Sequence, residues 1–306
     1  MLEIYCKHLL AYYLTKFEEV CHNYDLALYE NDQDGVHDLR VALKRLRAFF
    51  TLVECINRRF NAKKQFKNFK RISRNTGALR DTQVQRNLVE KLNTSLHLDL
   101  IPYFIFLDNR EAGHTREFQI FSLMNPIEKL KKAEKDIQTV LGEIPGRFAE
   151  ANARELFENL KGELYRLSGE RELKEEILHE IRKLAKQAHY TLEVIQAGFE
   201  QYTDTQDFVK GIKKVHQALG RWHDLDVSLL FLDEFLERND GAHPLEPYTQ
   251  LKEHIHREKE ALNKKFHTVF DAFRTTITIS GTLSNNHTFP FPLPVGYRNI
   301  IMKKQR

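Results

Sequence analysis

Three cysteines in 306 residues, Cys6, Cys21 and Cys55, are too few and too odd in number for a disulfide framework, and they lack the CxxC spacing of a zinc site. Such usage suits a reducing cytosol. Glycine (13 residues) and proline (8) are scarce, which argues against many short strands joined by tight turns and in favour of long helices. No apolar run approaches the roughly 18 residues that a membrane span needs. The opening MLEIYCKHLLAYYL places Glu3 where a secretory signal would be basic, so no export signal and no membrane partner are expected. Net charge is only +4, too small an excess to imply an anionic partner unless the charge is concentrated somewhere.

Helical periodicity dominates what is present. It predicts a first helix over about 2–28, a turn at Asn31, Asp32, Asp34 and Gly35, and a second helix over about 36–56. Val36, Leu39, Leu43, Leu46, Phe50 and Val53 recur there at spacings of three and four, one stripe against a core. A third helix over about 63–76 stops at Gly77, which reads as a left-handed C′ residue, so Gly77→Val is expected to harm folding. Asp81 then reads as the cap of a helix running to about Leu96. Pro102, Gly113 and Pro126 are expected to break the next stretch into shorter pieces, with helix again over 126–141. Gly142–Gly146 reads as the joint between an N-terminal half (1–142) and a C-terminal half (147–275). Helices over 147–167, 173–197, 207–219, 224–238 and 247–273 follow, the last pair of short ones parted by Gly220 with Asp224 as cap. Residues 276–306, carrying Phe289 and Phe291, read as an irregular tail.

The charge is concentrated. Between Val36 and Arg74 the chain carries twelve Lys or Arg against two acids, Asp38 and Glu54. The same region recurs. VHDLRVALKRLRAFFTLVE from Val36 aligns without a gap to LHEIRKLAKQAHYTLEVIQ from Leu178, and FKNFKRISRNTGALRDTQV from Phe66 lies near FVKGIKKVHQALGRWHDLDV from Phe208. Two blocks in the same order, about 142 residues apart, imply an internal duplication. At about 100° per residue, His37, Arg40, Lys44 and Arg47 fall in one narrow stripe beside the apolar one. His179, Arg182, Lys186 and His189 repeat it. Lys67, Lys70, Arg71 and Arg74 make a third stripe, and Lys210, Lys213 and Lys214, followed by Gln217, a fourth. Like charges crowded at the edge of a core cost energy unless an anion compensates them. The residues therefore point to a non-enzymatic, all-α binder of a linear polyanion.

At VHDLRVALKRLR, TGALRDTQV, LHEIRKLAKQAHYTLE and LGRWHDLDV the chain resembles the CHAD family, the conserved histidine α-helical domains, and the resemblance runs from about residue 1 to 275. It implies two pseudosymmetric helical bundles whose basic faces line a central groove or pore. It also implies binding of inorganic polyphosphate and association with polyphosphate granules and their proteins. By position, His37, Arg40, Lys44 (with Arg45 beside it) and Arg47 match the first basic motif, and His179, Arg182, Lys183 and Lys186 the second. His189 stands where the family often has arginine, and Gln217 where the first half has Arg74, so the second half is electrostatically weaker. Arginine suits such a ligand because its fork grips two phosphate oxygens, whereas lysine acts as a point charge. No ExExK strand motif of the triphosphate-tunnel partner domain occurs, and no cofactor is implied.

Four rival readings are weaker, one of them a scaffold with no anionic ligand whose mixed-charge helix over 147–167 offers surface to protein partners. Asp81 and His223-Asp224 could belong to a metal-dependent HD-type phosphohydrolase, but the first half lacks a matching ligand set. Metal binding by His37 or His179 is disfavoured, because neither has a histidine or carboxylate at i+4 and basic neighbours repel a cation. RNA binding is open to any basic helix, yet aromatic platforms are not interleaved with the stripes: Phe50, Phe66 and Phe69 fall on the apolar faces and read as core.

Overall fold

The computed structural model describes residues 3–30, 32–130, 133–199, 206–238 and 244–276. Its regular structure is helical, with no strand among the described residues. In chain order the helices are α1 (Ile4–Asp25), α2 (Gln33–Ile56), α3 (Ala62–Gln65), α4 (Lys67–Asn75), α5 (Gly77–Leu96), α6 (Ile101–Met124), α7 (Glu134–Gly142), α8 (Gly146–Ser168), α9 (Glu175–Gly198), α10 (Gln206–Glu237) and α11 (Glu246–Arg274). A π-turn, Leu26–Glu30, follows α1, and a 3-10 turn, Ile127–Lys129, precedes α7. None of these helices is long and apolar enough to cross a membrane. No disulfide forms among the described residues.

The apolar stripes fix how the helices meet. Val36, Leu39, Leu43, Leu46, Phe50 and Val53 of α2 are all buried, as are Leu178, Ile181, Ala185, Ala188, Leu192 and Ile195 of α9. α2 lies against α1, α8 and α9, and buries more than one stripe because it has neighbours on several sides. α1 answers with Tyr5, Leu9, Tyr13, Phe17, Val20 and Tyr24, one residue per turn. Phe50 and Phe69 are buried, and Phe66 packs half-buried against the same core.

Two apolar clusters form the interior, and each draws on both sides of the Gly142–Gly146 joint. The larger holds α1, α2, α8 and α9 with parts of α4, α5, α6, α7, α10 and α11. The smaller holds the later parts of α5 and α10 with the first parts of α6 and α11. α5 passes from the first cluster at Leu79 to the second at Leu88, and α10 crosses between Trp222 and Leu225. At the crossing the buried side chains are polar: Thr82, Gln83, Gln85 and Ser228. Gln85 Nε2 donates to the Asp224 carbonyl at 3.1 Å, tying α5 to α10. Gln83 Oε1, Gln85 Oε1 and Ser228 Oγ have no partner among the described residues. This polar seam positions the site described below.

Several sequence expectations are corrected. Thr76 alone separates α4 from α5, with φ −89° and ψ −2°, and its hydroxyl bonds back to the Ile72 carbonyl at 3.0 Å. Such back-bonding bends a helix without ending it. Gly77 therefore opens α5, with no left-handed φ, and an added Cβ would meet only Arg40 Nη1, at 3.5 Å. The basis for expecting Gly77→Val to harm folding falls away. Asp81 lies inside α5 and caps nothing. α10 is one helix of 32 residues, not two. Gly220 costs it roughly 1 kcal/mol in propensity, which the burial of Leu219, Trp222 and Leu225 around it overrides. α6 runs unbroken through Gly113, and Pro102 does not break it because it sits in the first turn, where proline is tolerated. The stretch expected as helix over 126–141 is a 3-10 turn and then α7. Apart from Thr276, the tail lies outside the described residues.

Asp32 caps α2 by accepting from the Asp34 and Gly35 amides, at 3.2 and 2.9 Å. A Cβ on Gly35 would stand 2.8 Å from Leu26 Cβ, whereas one on Gly113 meets nothing within 4 Å. Gly35→Ala is expected to cost roughly 1–3 kcal/mol by overpacking, and Gly113→Ala to stabilise by about 0.5–1 kcal/mol. Thermal melts of the two variants beside the parent protein check the opposite signs.

Candidate anion site

Arg40 and Lys44 lie one turn apart on α2, and Arg182 and Lys186 one turn apart on α9, at the border of the apolar stripes that pack these helices together. All four are half-buried. The packing of the two helices turns two separate stripes into one cluster, and the electrostatics record it. Burial, then Arg40, Arg182 and Arg80, push the Lys44 ammonium down to about 8. Burial, then Arg182 and Lys44, push Lys186 down to about 7. Burial lowers Arg40, Arg80 and Arg182 as well.

These cations are short of partners. Arg40 Nη1 donates to the Ser73 carbonyl at 2.8 Å, which docks α4 on α2. Arg80 Nη1 reaches the Gln33 carbonyl at 3.4 Å. Arg182 Nε is buried and has no hydrogen-bond partner among the described residues. No carboxylate pairs with Arg40, Lys44, Arg80, Arg182 or Lys186 among the described residues, and Asp81 and Asp224 act on them only through space. Some cations elsewhere are paired. Arg221 holds Glu258 through two bonds of 2.6 and 2.7 Å, and Lys259 holds Asp226 and Glu175 at 2.6 and 2.7 Å.

The remaining residues singled out by the sequence fall into three groups. His37 is more open, and its pKa is lowered by what burial it has and by Arg80. His179 and His189 are half-buried on α9; burial, then Lys213 and Arg45, outweigh Glu193 and lower His189. Arg47, Lys67, Lys70, Arg71, Arg74, Lys183, Lys210, Lys213 and Lys214 are exposed, with Lys183 on Glu180 at 2.8 Å and Lys210 on Asp207 at 3.5 Å. Arg45 is different in kind. Its Nε stands 2.9 Å from Glu193 and its Nη1 3.9 Å from Glu19, so it fastens α2 to α9 and α1.

Sequence reasoning missed the contribution of the polar seam. Arg80 and Asp81 on α5, and His216, His223 and Asp224 on α10, lie near enough to the four central cations to share their electrostatics. Burial, then Lys186 and Arg182, drive His216 down to about 4, so it is neutral at pH 7. Burial raises Asp224 although Arg182 and Lys186 oppose it. A signal existed: Arg80-Asp81 and His223-Asp224 occupy the same place in the two copies of the second repeated block. Reading the aspartates as caps hid it. His179, His223 and Asp226 also converge, from two helices.

Comparison with known proteins places this architecture. Among curated proteins no sequence matches. A crystal structure described as the CHAD domain from the plant Ricinus communis superimposes with a TM-score of 0.61 at 17% identity, covering 90% of this chain and 92% of that one. At that identity the likeness speaks to the fold. The CHAD domain model matches residues 11–233, a span that contains both repeated blocks and every central cation named above. The chain belongs to the CHAD domain family.

Proposed function

We propose that this protein binds inorganic polyphosphate, a linear polyanion, through cations presented together by α2 and α9, and does so without turning it over. The observation that carries this reading is the half-buried set Arg40, Lys44, Arg182 and Lys186, left without carboxylate partners. Cations gathered at a core edge are costly when unpaired. Phosphate oxygens supply the missing anions, and counterions released from the polymer add to affinity.

The repeat supports a grip from two sides. α8 begins 142 residues after α1 (Ile4 to Gly146), and α9 begins 142 residues after α2 (Gln33 to Glu175). Arg40 and Lys44 thereby correspond to Arg182 and Lys186. We read this as two pseudosymmetric bundles around a shared basic groove. His37, Arg47, Lys67, Lys70, Arg71 and Arg74 extend the track on one side, and His179, Lys183, His189, Lys210, Lys213 and Lys214 on the other. Arg45 holds helices together and is left out of the track. Residence on polyphosphate granules in the cytoplasm is the cellular expectation, with granule proteins as neighbours.

Calorimetric titration with long-chain polyphosphate at two salt concentrations tests the reading. Arg40→Ala with Lys44→Ala is expected to weaken binding roughly tenfold to a hundredfold and to flatten the salt dependence, with helicity by circular dichroism unchanged. Retained affinity and slope would sink the track. RNA at matched phosphate concentration is expected to compete poorly, and no orthophosphate should appear; equal competition would favour a nucleic-acid ligand, and steady release an enzyme.

Proton uptake is a second expectation. A bound anion favours the ammonium, so Lys186 and Lys44 rise from about 7 and about 8 towards ordinary lysine values. The complex then holds more protons than its parts between about pH 7 and 9, and affinity falls as pH rises through that window. Titrations at pH 7.5 in buffers of different ionisation enthalpy should report about one proton taken up per chain; a buffer-independent enthalpy would contradict it.

The same depressed values have the opposite sign for folding. The unfolded chain, with ordinary lysines, binds more protons than the native one between about pH 7 and 9, so the unliganded protein gains stability as pH rises there. Lys186→Met is expected to stabilise the free protein by on the order of 1 kcal/mol at pH 7 while weakening polyphosphate binding. Melts across that range, with and without ligand, separate the two effects.

A further inference from the structure

His179 on α9 and His223 and Asp226 on α10 each bring one ligand atom to within 4.8 Å of the others. The two imidazoles stand at 87° with ring centroids 5.6 Å apart. Nδ1 of His223 is buried and has no hydrogen-bond partner among the described residues, a kind of orphan that native interiors rarely leave without a reason.

The surroundings hold these side chains in place. Trp222 meets the His179 ring edge-on at 4.9 Å. Asp226 Oδ1 takes Lys259 Nζ at 2.6 Å, and the same ammonium reaches Glu175 at 2.7 Å. Lys259 thereby holds the Asp226 carboxylate in place, as outer-shell partners hold metal ligands.

The repeat separates this arrangement from anything in the first half. At an offset of 143 residues, His223 stands opposite Arg80 and Asp226 opposite Gln83; only His179, at 142, has a histidine counterpart, in His37. A cation and an amide are thus replaced by two residues of ligand type, and the fold brings both to the histidine that the halves share.

We infer that His179, His223 and Asp226 form a divalent transition-metal site of the zinc class. Two imidazoles and a carboxylate suit such an ion, and three protein ligands leave a position open. Ligand atoms on a tetrahedral zinc stand about 3.4 Å apart, so the side chains draw in by at most about 1.4 Å (4.8 less 3.4). Arg182 and Lys186 oppose a bare cation, so the open position suits an anion oxygen that offsets both. The ligand set itself does not rest on the polyphosphate reading.

The test uses the metal alone. The full chain, freed of metal, is titrated with Co²⁺ while the d–d absorption is followed, and Zn²⁺ is then added as competitor. One equivalent of Co²⁺ with an absorption that Zn²⁺ abolishes is expected. His223→Arg, which installs the first-half residue, should weaken Co²⁺ by a hundredfold or more, beyond the ten- to hundredfold typical of an outer-shell loss, and Asp226→Asn by at least tenfold. His223→Asn, a small neutral change, should repeat the loss if the arginine variant misfolds. His256→Ala, on exposed α11 surface, should change nothing. No Co²⁺ spectrum in the parent protein, or equal affinity in the parent and both His223 variants, would overturn the proposal. Polyphosphate binding is measured separately on the metal-free chain, so either result can fail alone.

Discussion

Arg40, Lys44, Arg182 and Lys186 repel one another in a place where water screens them poorly, and the α2–α9 packing has to hold them there. It does so with apolar contact: Leu43 and Leu46 of α2 and Ala185 and Ala188 of α9 are fully buried. The alanines let the helices lie close, and closeness sets how strongly the charges feel each other. Stability gained in the core is thus spent at its rim. A chain selected for stability alone would place paired or neutral residues there.

Charge is divided by task. Arg45, Arg221 and Lys259 are consumed by carboxylates and fasten helices to one another. The central four have no such partners and remain chemically available. Counting basic residues along the sequence cannot make this distinction, because Arg45 and Lys44 are neighbours in the chain and differ only in which side of α2 they leave from.

The sequence made much of this legible. Spacings of three and four marked the buried stripes of α2 and α9 residue by residue, because burial on one side of a helix leaves a period. The motifs marked the family. What stayed hidden depends on contacts between helices. Gly220 and Gly113 look like breaks in a string of letters, yet nothing crowds them, and burial on either side of Gly220 carries α10 through. Asp81 and Asp224 look like caps because they follow a glycine, until α5 and α10 cross and place them beside the cations. The His179, His223 and Asp226 group has no spacing signature within one helix, since its members come from two.

Each apolar cluster draws on both sides of the Gly142–Gly146 joint, and this bears on how the chain comes into being. During synthesis α2 emerges well before α8 and α9, which cover its other faces. At about 5–20 residues per second, the ribosome needs roughly ten seconds to make the following half. Until then the faces of α2 that α8 and α9 cover have no partner from the second half, while Phe50 already has Tyr13, Phe60 and Phe69 around it. The native packing of α2 is thus completed only once α9 has been made.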